Sequence, residues 1–385
     1  MDFSVDPQSQ ELIDAARDFA SRELGADLVA RDHRGAKDES DWRGDWHKCA
    51  EFGVLGLNVP TEYGGRGLNT VDTIMVLEAI GYGCPDNGLT LGLNGQIWAV
   101  QEPIQTFGTP QQKQRYLPGL ANGQLIGAHG MTEEASGSNA FGLSTVAERD
   151  GDEYVLNGHK TYIGLGPTCD LAIVFATTDP SLGQWGLSAF LVEASTAGFT
   201  RGEPQQKMGL RTAPMGELTL ENCRVPADAM LGPAGAGQSI FQHSMEWERS
   251  FIFASHVGSM ARQLDECVAF ARKREVFGQP IANYQSISNR LAEMKLRLET
   301  SRLLLYRAAW SMDNGGASAA EAALAKLHIS EAFVASSLDA IRIHGGKGYL
   351  SEAGVERDLR DAAGGVIYSG TSDIQRQVIA RLLGV

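Results

Sequence analysis

The sequence has no C-x-x-C pair, no H-E-x-x-H, no excess of basic charge and no apolar run long enough to cross a bilayer. Each absence removes a class of protein. Five cysteines (Cys49, Cys84, Cys169, Cys223, Cys267) lie scattered, and an odd number cannot close into a disulfide framework, so a reducing cytoplasm is the expected location. Eight histidines without paired Cys/His spacing leave a metal centre unsupported, and none is expected. The opening MDFSVDPQSQEL is acidic and polar, and no stretch of about 18 uninterrupted apolar residues follows it. Neither export nor a membrane span is expected. With 33 basic against 47 acidic residues, the net charge of −14 works against binding nucleic acid or anionic lipid.

What remains is the composition of a folded globular protein, with 43% hydrophobic and 21% charged residues, 45 Gly and 13 Pro in 385 residues. That length divides into two or three compact units. Asp6-Pro7 and Thr109-Pro110 each place a capping side chain before a proline at a first helical position, so residues 1–124 are expected to form an α-domain. From 125 to 232 the period changes to alternation. Asp150-Gly151 and Asn157-Gly158 read as turns there, and LAIVFATT, GLSAFLVEA and GELTLENCRVP read as strands. The Gly-rich LGPAGAG then leads into 233–385, where helical spacing runs from Ser239 to Arg274, Ser286 to Asp313, Ser318 to His344 and Ser372 to Leu383. The fold class is α+β. Wide apolar stripes such as LRLETSRLLLYRAAW need a partner, and a homo-oligomer, dimer or tetramer, is expected.

Six segments, in order, resemble the acyl-CoA dehydrogenase superfamily: GMTEEASGSNA, NGHKTYIG, KMGLRTAPMGELTLENCRVP, ARKREVFGQPI, IHGGKGY and YSGTSDIQRQVIARLLG. The resemblance spans essentially the whole chain. It implies an N-terminal α-domain, a β-barrel-like middle domain, a C-terminal four-helix bundle, and non-covalent FAD between the last two. Met131, Thr132, Gly137 and Ser138 fall where that family's loop meets the flavin ring and phosphates. Arg274 and Phe277 match R-x-x-F-G, in which the arginine supports the diphosphate of a neighbouring subunit's FAD. Thr371 and Asp373 match FAD-contacting positions at the start of a helix, with Asp373 where glutamine is more usual. For each of these the bland reading is a polar loop, an exposed helix-end arginine or a simple N-cap.

Many members of that family carry their catalytic glutamate in Tyr-Glu-Gly-Thr, but here the segment is Tyr368-Ser369-Gly370-Thr371. A serine hydroxyl is far too weakly basic to take an α-proton. Isovaleryl- and long-chain-type members place it instead on an earlier helix, at the position of Glu248 in FQHSMEWERS. A helical projection puts Phe241, Met245, Ile252 and Ser255 within about 60° of Glu248, and Glu246 about 160° away and solvated. Glu248 therefore projects from an apolar face, where lost solvation raises its pKa toward that of a useful base. The bland alternative is an ion pair with a buried arginine.

Within the family, Met245, Trp247 and Glu248, the run 285–310 and SGTSDIQ most resemble the prolyl-carrier-protein dehydrogenases of pyrrole-forming pathways. The implied reaction is removal of an α-proton by Glu248 and transfer of the β-hydrogen as hydride to flavin N5, on a thioester of CoA or of a carrier protein's phosphopantetheine. Three departures stand out. Tyr162-Ile163-Gly164 replaces Trp-Ile-Thr, removing a hydroxyl near N5. Arg342 precedes Ile343-His344-Gly345-Gly346, adding charge near the expected cofactor region, and the serine replaces the usual glutamate. The first motivates an oxidase or monooxygenase using O2, beside a short- or branched-chain acyl-CoA dehydrogenase serving an electron-transfer flavoprotein and a flavin-free scaffold. His129, His159, His243 and Cys169 read as structural or channel-lining.

Overall fold

The computed structural model describes residues 3–36, 39–316 and 319–385. Asp6 accepts from the backbone N–H groups of Gln8 and Ser9 at 2.8 and 3.0 Å, so α1 (Pro7–Glu23) starts where the capping chemistry puts it. After α2 (Leu28–Arg34) and α3 (Glu39–Phe52) comes α4 (Thr70–Gly83), which is buried nearly all round and accordingly apolar nearly all round. A π-helical turn at Gln96–Gln101 joins α5 (Asn87–Gly95) to α6 (Glu102–Phe107). A capping box of Thr109 and Gln112 opens α7 (Pro110–Ala121), as the sequence indicates.

Among the described residues, eight strands then form one sheet: β1 (Gly127–Gly130), β2 (Val146–Asp150), β3 (Glu153–Gly164), β4 (Leu171–Thr177), β5 (Leu187–Glu193), β6 (Phe199–Arg201), β7 (Met215–Pro226) and β8 (Met230–Leu231). Their order is β6-β7-β3-β2-β4-β5-β8, with β1 paired in parallel on β4. Asp150-Gly151 is the hairpin turn expected. Asn157-Gly158 is not a turn, because β3 runs straight through it with a register shift against β7. Glycine is required there for space: a Cβ on Gly158 would stand 2.3 Å from Thr145 Oγ1.

The last part holds α8 (Gly237–Phe251), α9 (Ala254–Lys273), α10 (Gln285–Asp313), α11 (Ala319–His344), α12 (Val355–Gly365) and α13 (Ser372–Leu382). The expected helix start at Ser318 lies outside the described residues. The single helical run read from 239 to 274 is two helices, broken at Ile252 and Phe253. Phe251, Ile252 and Phe253 are all buried at this break. α12 escaped the sequence reading because it starts after Gly354 in a left-handed conformation, with no side-chain cap. At the centre of this bundle α11 packs against α8, α9, α10, α12 and α13. No helix among the described residues is long and apolar enough to cross a membrane.

One polar junction ties the three parts together. Thr212 Oγ1 donates to Asp86 at 2.5 Å, the Leu210 N–H donates to Asp361 at 2.5 Å, and Asn87 Nδ2 lies 3.0 Å from both Asp358 and Asp361. The approach is so close that a Cβ on Gly209 would strike the Arg360 carbonyl oxygen at 2.1 Å.

Candidate active site

α8 carries Glu248, and the short link between α12 and α13 passes directly over it. Tyr368 stacks on Phe253, with ring centroids 5.4 Å apart and planes 14° from parallel, which anchors that link at its start. The next residue, Ser369, sits at φ +56° and donates its hydroxyl to Glu248 Oε1 at 2.5 Å. Its carbonyl accepts from Arg249 Nε at 3.3 Å. Gly370 follows at φ +83°, where a Cβ would stand 2.6 Å from Gln375 Nε2, and Thr371 caps α13 by accepting from the Ile374 N–H at 3.2 Å. The two alternative positions for a catalytic carboxylate, 248 and 369, thus meet in space.

No arginine or lysine lies within ion-pair distance of Glu248 among the described residues. The bland reading of a structural ion pair is overturned. Burial pushes the Glu248 carboxyl above the usual range, and the Ser369 hydrogen bond and the Arg249 charge offset this only in part. Phe241 and Met245 share its side of α8, but Ser255 does not, since α8 has ended and Ser255 Oγ accepts from Asn94 Nδ2 on α5 at 2.8 Å. Glu246, expected in solvent, is half-buried. On the same helix, Trp247 stacks on Trp98 of the π-helical turn with centroids 5.8 Å apart and meets Phe251 edge-on.

The loop after β1 approaches α8 from the sheet side, because His129 on β1 stacks on Phe241 at 6.0 Å and Phe141 meets Phe241 edge-on at 5.7 Å. Met131 is buried, Thr132 is half-buried with its carbonyl accepting from the Thr161 N–H at 3.0 Å, and Gly137 and Ser138 are exposed. Two residues that sequence reasoning missed hold this loop, Glu133 and Lys160. Lys160 Nζ lies 2.8 Å from Glu133 Oε1 in a fully buried pair, and the same carboxylate accepts from the N–H and hydroxyl groups of Ser144 and Thr145 at 2.5–3.1 Å. Burial opposes both charges and pulls Lys160 toward about 8, yet five donors on one carboxylate hold Glu133 down at about 2, so the pair stays charged. A lysine in the middle of an alternating strand, facing the core, was the available signal.

On β3, Tyr162 is at φ +57° and largely exposed, Ile163 points into the sheet core, and Gly164 has open space where a Cβ would stand. A second group gathers at the far end of the bundle, where Phe270 on α9 meets His344 on α11 at 4.2 Å. Arg274 there is exposed, and its guanidinium has no partner among the described residues. Phe277, at φ +50°, is 97% exposed. Gly345 and Gly346 have open space where side chains would be. Arg342, with its side chain half exposed, joins Arg290 and Arg297 around Asp339 at 2.7–3.2 Å. Asp373 is exposed and pairs with Arg376 at 3.0 Å. No hydrogen bond, ion pair or ring contact links this second group to Glu248 among the described residues.

The remaining candidates are structural in their surroundings. His129 is buried against Phe175 and Phe241, and burial drives its pKa down to about 4. His159 faces Thr219 and Glu217, and Cys169 is a buried thiol pushed up to about 12. His243 sits 2.8 Å from Glu102, and that carboxylate outweighs burial in raising its pKa.

The chain belongs to the acyl-CoA dehydrogenase family. Models of the family's N-terminal, middle and C-terminal domains match residues 6–124, 128–223 and 235–384. It is 45% identical over 339 residues to an L-prolyl-(peptidyl-carrier protein) dehydrogenase of Pseudomonas fluorescens, covering 88% of this chain and 89% of that one. Among solved structures it resembles the prolyl acyl carrier protein oxidase AnaB, with 46% identity, a TM-score of 0.96 and coverage of 99% and 100%. It also resembles PigA with FAD and proline, with 37% identity, a TM-score of 0.95 and coverage of 100% and 99%.

Proposed function

We propose that this chain is an FAD-dependent dehydrogenase of a small aminoacyl thioester, with L-proline on a carrier protein's phosphopantetheine as its substrate. The observation that carries the reading is Glu248: a carboxylate raised in pKa by burial and hydrogen-bonded, among the described residues, to the Ser369 hydroxyl and to no cation. Such a group takes protons. The relatives named for prolyl carrier proteins support the choice of acyl group.

FAD, when bound, accepts the β-hydrogen with its electron pair. The residues present fit it: the exposed Gly137 and Ser138 on the loop after β1, glycine surfaces at Gly164, Gly345 and Gly346 that leave room for a flat ring system, and the guanidinium of Arg274, exposed and without a partner among the described residues. Met131, Thr132, Gly137, Ser138, Tyr162, Ile163, Gly164, Thr371 and Asp373 serve one site, and Arg274, Phe277, Gly345 and Gly346 serve the site of a second copy. A homo-oligomer is consistent with Leu296 and Leu303, which leave 58% and 55% of their surface exposed on α10. The chain's own work is then to hold the thioester beside Glu248, take its α-proton on the carboxylate and exclude water with Trp98, Trp247 and Phe251. The product is an α,β-unsaturated thioester.

Gly164 favours O2 as the final electron acceptor over an electron-transfer flavoprotein, because the open space there admits dioxygen. Five buried, unpaired cysteines fit a reducing cytoplasm.

The test is the visible flavin spectrum of purified protein mixed anaerobically with L-prolyl carrier protein and, in parallel, with short and branched acyl-CoAs. Bleaching by the prolyl thioester alone supports the reading, and bleaching by an acyl-CoA replaces it with catabolic acyl-CoA dehydrogenation. Fast reoxidation in air with release of hydrogen peroxide supports O2 as acceptor, whereas labelled oxygen in the product makes the enzyme a monooxygenase.

A further inference from the structure

Glu248 has two carboxylate oxygens, and only Oε1 has a hydrogen-bond partner among the described residues, the Ser369 hydroxyl at 2.5 Å. Ser369 itself is held from several directions. Its carbonyl accepts from Arg249, the residue after the base. Tyr368 before it is stacked on Phe253, and the link is closed by the Tyr368 N–H to Gly364 at 3.1 Å and the Ser372 N–H to Val366 at 2.9 Å. At φ +56° a serine costs more than a glycine, so nothing in the backbone calls for a side chain here. The side chain has one visible task, the bond to Glu248.

We infer that Ser369 is a positioning residue for the base: it pins Oε1 of Glu248 and leaves Oε2 turned to the substrate's α-carbon. This rests on Glu248 being the base. A neutral hydroxyl suits the task. A lysine there would hold the carboxylate ionised and make it a poor base, as Lys160 does to Glu133, whereas a hydroxyl fixes direction and only moderates the effect of burial. The other charged or titratable groups around Glu248 are Arg249 and Glu246 on α8, Tyr368 and Asp361 from α12 and the link after it, and Lys326 on α11. None of these is hydrogen-bonded to it.

The experiment compares Ser369→Ala and Ser369→Gly holoenzymes with the parent, by the rate of anaerobic flavin bleaching with L-prolyl carrier protein across pH. A second readout is infrared titration of the Glu248 carboxyl, its band assigned by loss in Glu248→Gln. Glycine suits the left-handed backbone, so the second variant keeps the fold if alanine does not. Both variants are expected to show a limiting rate lower by about ten-fold and an acid limb moved to higher pH, with the infrared titration moved the same way. Unchanged pH limbs and carboxyl titration in both overturn the inference, as does an effect confined to alanine, which would reflect the backbone alone. If Glu248→Gln itself still bleaches at the parent rate, the assignment of the base has failed. If that variant is dead and the Ser369 variants match the parent, only the positioning role has.

Discussion

Two glutamates, Glu133 buried and Glu248 half-buried, face opposite ways in this protein. Glu133 is saturated, with Lys160, Ser144 and Thr145 giving it five donors, and it is held at about 2. Glu248 has one hydroxyl, and burial drives it up. Desolvation pushes both carboxyls up, so burial alone does not decide what such a group does. The number and charge of its donors decide. Glu133 keeps its charge and staples a loop, whereas the Glu248 carboxyl is left closer to the proton.

The comparison breaks most visibly at Glu248. Glu248→Gln is expected to leave the fold and the flavin spectrum intact while slowing anaerobic flavin reduction by about 10²–10⁴-fold, measured by stopped flow. Lys160→Met should do the reverse in kind, costing about 3–5 kcal/mol of stability by stranding a buried charge, and should appear in thermal unfolding together with loss of bound FAD. The pH dependence of stability sharpens the contrast. The folded value of Glu133 lies below its unfolded reference of roughly 4.3, so its contribution is present above that pH and is lost as pH falls toward 2. The difference in melting temperature between the parent and Glu133→Gln should therefore close over that acid window. The smallest effect is at the neighbouring Gly370, where Gly370→Ala meets Gln375 and a left-handed backbone. About 1–2 kcal/mol of stability and weaker FAD retention are expected, read by thermal unfolding in the presence of excess FAD.

Much of this was legible before any coordinates. The caps at Asp6 and Thr109, the change of period in the middle third and the apolar side of Glu248 are local patterns, and local patterns survive in a bare sequence. Where the sequence misleads, the cause is mostly not local. Asn157-Gly158 has turn chemistry, but glycine is needed there for Thr145, thirteen residues before Gly158. The break at Ile252 carries no proline or glycine to mark it. The cluster of Arg290, Arg297 and Arg342 around Asp339 is not visible in the sequence because its members come together only in three dimensions. Ser369 was noticed as too weak a base, and its role toward Glu248, 121 residues away, could not be seen until the chain was folded.

The junction of Asp86, Asn87, Leu210, Thr212, Asp358 and Asp361 sets the order in which the molecule can be completed. Its bonds join residues 126, 151 and 271 positions apart, among the slowest contacts for a growing chain to close. The first helices leave the ribosome long before Asp358 and Asp361 exist, so the side-chain amide of Asn87 lacks its two carboxylate partners until synthesis is nearly over. The newborn protein is therefore most exposed to chaperones and proteases at the seam between its parts, and the last thirty residues act as its closing stitch.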